Sequence, residues 1–223
     1  MSAFRAVVTG AACVLVIGLV TPVAAQAPTS ESLNARLLIA ARTGDEPGVE
    51  RALAAGAALN SRNRFGETAL IIALKRNQVQ MAKRLIEAGT DINQPALNGV
   101  TALMAAAHGG HVEIVRTLLE RGADPTPVDR IRKTAMLYAA GEGRTEVVRL
   151  LMERGIDANA VYANELTALM WSAGSGHTPT VQALLEAGAR PDMRDDRGKT
   201  ALDIAREGPY PDTVRVLEAH TKR

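Results

Sequence analysis

Threonine recurs at Thr68, Thr101, Thr134, Thr167 and Thr200, 33 residues apart each time, and each opens a near-copy of one phrase: TALIIAL, TALMAAA, TAMLYAA, TALMWSA and TALDIAR. A second column with the same spacing is Gly56, Gly89, Gly122, Gly155 and Gly188. Between them run Val49, Ala82, Val115, Val148, Val181 and Val214, followed three positions on by Ala52, Leu85, Leu118, Leu151, Leu184 and Leu217. A fixed period of this kind specifies a stack of like units, each burying its apolar face only against its neighbours.

Each column has a physical reason. The threonine precedes an alanine-rich apolar stretch, so its hydroxyl can cap the first amides of a short helix. Small residues at Ala73, Ala106, Ala139 and Ala205 let neighbouring helices approach closely. A glycine-containing turn (HGGH, GEGR, GSGH) leads to a second helix, whose apolar stripe in one central unit is Ile114, Val115, Leu118 and Leu119. Glu113 and Glu146 stand at the start of that helix, where the dipole favours negative charge. The glycine column then supplies the left-handed residue after a helix end. Polar connectors such as NRFGE, ALNGV and DDRGK read as turns or hairpins. Aromatics are only 3% of the chain, so the core is aliphatic, which suits close-packed helices better than a β-sandwich.

These phrases resemble the ankyrin repeat, from about Leu33 to Leu217: GETAL…GTDIN, GVTALMAAAHGGHVEIVRTLLERGADP and GKTALDIA follow it column by column. The resemblance implies an all-α solenoid of about six helix-turn-helix units with projecting β-hairpins. The array is expected over 33–220, in units of about 33–62, 63–95, 96–128, 129–161, 162–194 and 195–220. The end units depart from the pattern, with Ala35 for the threonine in the first and Glu218 for an apolar residue in the last, as units facing water require. The histidine usual in the family three residues after threonine is Ile71, Met104, Leu137, Met170 and Asp203 here. The loop glycine kept at Gly66, Gly99 and Gly198 becomes Arg132 and Glu165, with Asn164 as a substitute for the left-handed conformation.

The first residues follow a different logic. One arginine, an uncharged run of 15 residues (AVVTGAACVLVIGLV) and a small-residue end (TPVAA) have the order of a cleavable signal peptide over 1–25, followed by a short linker over 26–32. The run is shorter than the ~20 residues a membrane-spanning helix needs. Cleavage after Ala25 predicts export to a bacterial periplasm. The single cysteine, Cys13, leaves with that segment, so the mature chain has neither disulfide nor thiol nucleophile. Removing Arg5 from 26 basic residues leaves 25 against 24 acidic ones, a balance that predicts no nucleic-acid partner.

Candidate chemistry is sparse. Ser175 lies between glycines with His177 two positions on, yet His177 shares its column with His111 and Arg144, which marks a structural position. No base, orienter or oxyanion arrangement accompanies the pair, so a hydrolase is the weakest reading. His108 and His111 lack the further ligands a zinc site needs. Trp171, Tyr138 and Met170 are expected to pack within the inner helices. The expectation is therefore a non-enzymatic monomer without cofactor or metal, binding an unidentified protein and, once the signal is removed, no membrane.

The ankyrin frame puts the binding residues on hairpin tips and on the exposed inner-helix face. Tip candidates are Arg64, Phe65, Leu97, Asn98, Arg130 and Ile131, with Lys133 in the basic cluster DRIRK. Inner-helix candidates are Lys75, Arg76, His108 and Glu142. Phe65, Leu97 and Ile131 are apolar where turns usually carry polar residues, which predicts a row of anchors rimmed by charge. An accessory subunit stabilising a periplasmic enzyme is the alternative. The resemblance extends to exported bacterial ankyrin proteins associated with oxidative-stress defence alongside catalases, an implication that the residues themselves do not carry.

Overall fold

A computed structural model describes residues 29–221, and the expected signal peptide lies outside them. The chain forms six antiparallel helix pairs in sequence order: α1 (Ser30–Thr43) with α2 (Glu46–Ala54), α3 (Ala69–Lys75) with α4 (Val79–Glu87), and α5 (Ala102–Gly109) with α6 (Val112–Glu120). The second half repeats the plan: α7 (Ala135–Gly141) with α8 (Thr145–Glu153), α9 (Ala168–Gly174) with α10 (Thr178–Glu186), and α11 (Ala201–Arg206) with α12 (Pro211–Thr221). The odd-numbered helices stack on one another as an inner layer, and α4, α6, α8, α10 and α12 stack as the outer one.

The threonine column does what its chemistry predicts. Thr68, Thr101, Thr134, Thr167 and Thr200 accept from the amide three residues on, at 3.4, 3.2, 3.4, 3.3 and 3.2 Å. The alanines Ala73, Ala106, Ala139, Ala173 and Ala205 are fully enclosed between inner helices. Leu85, Ile114, Val115, Leu118, Leu151 and Leu184 fill the space between layers, all inaccessible to water. The missing family histidine is replaced by packing: Ile71, Met104, Leu137 and Met170 are buried, while Asp203 closes a capping box with Thr200.

The first unit differs from the expectation at its start. Helix α1 begins at Ser30, so residues read as linker are helical, and its cap is Thr29, which accepts from the Ser32 amide. At 14 residues this helix is longer than its sister helices, and the Ala35 position lies inside it rather than at its cap.

The connectors also differ. Each is a tight loop whose ends are joined by a backbone bond, Asn63 N–H to Glu67, Ala96 to Val100, Asp129 to Lys133, Tyr162 to Leu166 and Asp195 to Lys199, with a second, shorter-range backbone bond inside it. Only an isolated bridge between Arg62 and Thr68 extends any of them, so among the described residues there is no β-hairpin ladder. The reason is spatial. The next hydrogen-bonded pair would fall on the residue after the threonine, which is already the first residue of a helix.

Candidate functional site

The loops present a free edge. Asn63, Asp129 and Asp195 each accept two amides of their own loop on one side-chain oxygen, fixing the turn. Successive tips are tied by the Leu97 amide to Phe65 C=O and the Arg130 amide to Asn98 C=O, both 2.9 Å, and by Asp196 to Asn164 at 3.1 Å. The corresponding bond from Ala163 to Ile131 is not made. There Arg132, Asn164 and Glu165 all adopt positive φ in place of glycine, and a short 3-10 turn at Ala163–Glu165 tilts the loop. A gap of about 420 Å³ opens at this junction, bordered by Val128, Val161 and Tyr162.

Phe65, Leu97 and Ile131 stand out from the loop edge at 55, 59 and 67% exposure, with the Arg64 guanidinium 4.8 Å above the Phe65 ring. None of the three is packed into the core. Arg64, Asn98 and Arg130 are exposed beside them.

The inner-helix candidates gather around a half-open hollow of about 510 Å³ over α5. Lys75, Asn98 and His108 line it directly. Lys75 is held by Glu67 at 2.6 Å, and His108 lies 3.7 Å from Glu142. Arg76 follows at the end of α3, exposed and without a carboxylate partner among the described residues. The tips of Phe65, Leu97, Arg130 and Ile131 do not line the hollow.

Two residues expected to pack do so against the core and also keep one side open to this face. Tyr138 and Trp171 are only partly buried, whereas Met170 is fully enclosed. They occupy one column on the open side of the inner helices: Ile72, Ala105, Tyr138, Trp171 and Ile204. That shared spacing was the signal available in the sequence. Ala105 is the small member, and its lack of a large side chain leaves the hollow beside Tyr138.

Lys133 reaches back from its loop so that its ammonium lies 4.2 Å above the Trp171 ring and 5.4 Å from the Tyr138 ring, a cation held on aromatic faces. Tyr138 donates its hydroxyl to Asp129 at 2.5 Å, and His108 meets its ring edge-on. Burial, the hydrogen bond to Asp129 and that carboxylate's charge all push the Tyr138 phenol well above its ordinary range, so it stays a neutral donor.

Ser175 and His177 are structural. Ser175 caps the C-terminus of α9, and the His177 ring pairs through Nε2 with Gly141 C=O at 2.8 Å, one unit back. Its column does the same elsewhere. The Gln78 amide donates to Arg42 C=O at 3.2 Å, and Arg144 Nε to His108 C=O at 3.0 Å. These side chains staple each turn to the preceding unit. His111 is the exception: its Nε2 is buried without a partner among the described residues, and burial and the nearby Arg144 charge push its pKa down. Among the described residues no group of three or more His, Cys, Asp or Glu is placed to hold a metal ion. No described helix is long and apolar enough to cross a membrane.

Comparison with known proteins agrees with this geometry. The family model described as "Ankyrin repeats (3 copies)" matches residues 37–129, 88–162 and 136–222. No curated protein matches the chain. Repeats of this kind generally mediate protein–protein interaction and are typically non-catalytic. With matches running from the first helix pair to the last, the chain belongs to the ankyrin repeat family.

Proposed function

We propose that the protein is exported to the periplasm and there binds a protein partner through its loop tips and inner-helix face. The observation that carries this reading is the row of Phe65, Leu97 and Ile131, more than half exposed on a loop edge that hydrogen bonds hold in register. A pre-ordered edge loses little entropy on association, and a few apolar anchors supply most interface energy. Arg64, Asn98 and Arg130 rim the row, and Lys75, Arg76, His108, Lys133 and Glu142 extend the surface over the inner helices.

The test is the triple substitution Phe65→Ser, Leu97→Ser and Ile131→Ser in the mature chain. Affinity capture from periplasmic extract, with mass spectrometry, is compared between wild type and variant alongside thermal melts. Capture lost with the melt unchanged supports the edge as the binding surface. An equal loss of stability assigns the three side chains to packing instead. A captured enzyme whose lifetime lengthens on addition of the chain identifies an accessory subunit.

A further inference from the structure

Neighbouring connectors are tied to each other twice, except at one joint. The first tie is the tip bond, from Leu97 to Phe65, Arg130 to Asn98 and Asp196 to Asn164. The second runs from an amide near the start of a connector to an asparagine side chain one unit back. The amides of Ala58, Asp91, Asp124 and Arg190 donate to Oδ1 of Asn34, Asn60, Asn93 and Asn159, at 2.7, 2.8, 3.0 and 2.7 Å. The remaining member of this column is Asp157, which faces Thr126 in place of asparagine, and its amide has no acceptor among the described residues. Thr126 is placed as its sisters are. Its amide donates to Asp124 at 2.9 Å, as those of Asn93 and Asn159 donate to Asp91 and Asp157 at 3.0 and 2.9 Å. Only the side chain differs: its short hydroxyl turns back to Asp124 at 2.7 Å. Both ties are therefore missing between the connectors that follow α6 and α8, and the gap of about 420 Å³ lies between those two.

The neighbouring joints show what the gap is built to take. Asn93 donates to Gly122 C=O at 3.0 Å while accepting from Asp124, and Asn159 donates to Gly188 C=O at 3.1 Å while accepting from Arg190. The equivalent pair at the gap is Gly155 C=O and the Asp157 amide, both on its lining and neither bonded among the described residues. Met136, Leu151, Ile156 and Tyr162 make the walls apolar, and Val128 and Val161 beside them are 49 and 56% exposed. The volume falls within the about 300–1,000 Å³ usual for ligand pockets. Arg132 and Asp157 bring opposite charges to the lining, which favours a neutral polar group over an ion.

From this geometry we propose that the cleft receives an asparagine-bearing segment of the protein partner, its carboxamide bridging the Asp157 amide and Gly155 C=O while an adjoining apolar residue meets the walls. A carboxylate has no N–H for Gly155, and an aliphatic side chain leaves both backbone groups unpaired. Arg132, on the lining, directly follows Ile131, so the cleft begins where the row of anchors ends. The inference rests on the interaction function proposed above and adds a second contact of stated chemistry.

The experiment titrates the mature protein with a capped leucine-asparagine-leucine peptide and follows backbone amides by heteronuclear NMR. A saturable shift of the Asp157 amide is expected. Peptides with aspartate or leucine in the middle should bind at least about fivefold more weakly, as for a lost hydrogen bond. Thr126→Asn should supply the carboxamide from the chain itself, raising Tm by about 2–4 °C and leaving Asp157 unmoved by the peptide. Val128→Ser with Val161→Ser should weaken the peptide with an unchanged melt, because both side chains are exposed.

Equal binding of the three peptides, a saturable shift elsewhere with Asp157 unmoved, or undiminished binding by Thr126→Asn would each overturn the inference. So would an Asp157 shift that grows with protein concentration alone, which assigns the cleft to a second copy of the chain. If the asparagine peptide fails while a tip-dependent partner is still captured, the cleft is wrong and the interaction function stands. If tip-dependent capture fails as well, both fall.

Discussion

Replacing Leu118 with alanine tests the assignment of columns to core. Leu118 lies in α6, a central outer helix, and no part of it reaches water. The change removes about three methylene equivalents at ~0.8 kcal/mol each, roughly 2.4 kcal/mol of lost burial. Any space that neighbours cannot refill adds about 24 cal/mol per Å³. Helix α6 is clamped by α4, α5 and α8, so little collapse is available, and the total should fall within ~2–5 kcal/mol. Ser175→Ala, at a helix end with no side-chain bond, should stay within ~0.5 kcal/mol. Urea unfolding followed by far-ultraviolet circular dichroism reports the whole stack, whereas Trp171 fluorescence reports the unit containing α9 and α10. Units couple to their neighbours alone, so the Leu118 defect should separate the two probes into distinct transitions. Matching small effects from both substitutions, with coincident probes, would refute the column assignment.

Further outcomes follow from single contacts. Thr167→Ala removes a buried cap of α9 and should cost about 1 kcal/mol in a thermal or urea melt. Glu165→Gly relieves a left-handed residue and should gain about 1 kcal/mol, raising Tm by about 2–4 °C. Burial raises the Asp195 pKa, but the Lys199 and Arg197 amides and the Arg197 guanidinium outweigh it and hold the pKa below the usual carboxylate value. Its stabilisation is therefore present above about pH 4 and lost as pH falls through the lowered folded-state value. Asp195→Asn, which can keep the turn as Asn63 does, should melt lower than wild type at pH 7, and the difference should vanish in acid. N-terminal sequencing of exported protein should begin at Gln26; a start at Met1 would remove the signal-peptide reading.

The period made most of the fold legible, because each column carries its own local chemistry. Thr101 caps, Ala106 lets helices approach and Gly122 ends the outer helix, each for reasons visible within a few residues. The resemblance suggested hairpins, which the helix starting directly after each threonine prevents from growing into ladders. Inner-face residues were harder to read. Tyr138 and Trp171 have the composition of core residues, and only their column, shared with Ala105, places them at the open face. The Lys133–Trp171 contact joins two units across 38 positions, which the spacing of neither residue announces. The structural nature of His177 could be inferred from Arg144 in its column, but its acceptor, Gly141 C=O, lies in another unit.

The untied tip between Ile131 and Ala163 gives the array a mechanical character. Three junctions between loops are latched by a peptide hydrogen bond, and this one is not. The Lys133 ammonium resting on Trp171 spans the same joint, so a flexible side chain carries load that the backbone carries elsewhere. Side-chain contacts of this kind yield over longer displacements than aligned amides, so the stack behaves as a leaf spring with one compliant joint. Pulled from its ends, it should open first between the fourth and fifth units, leaving shorter, intact springs on either side.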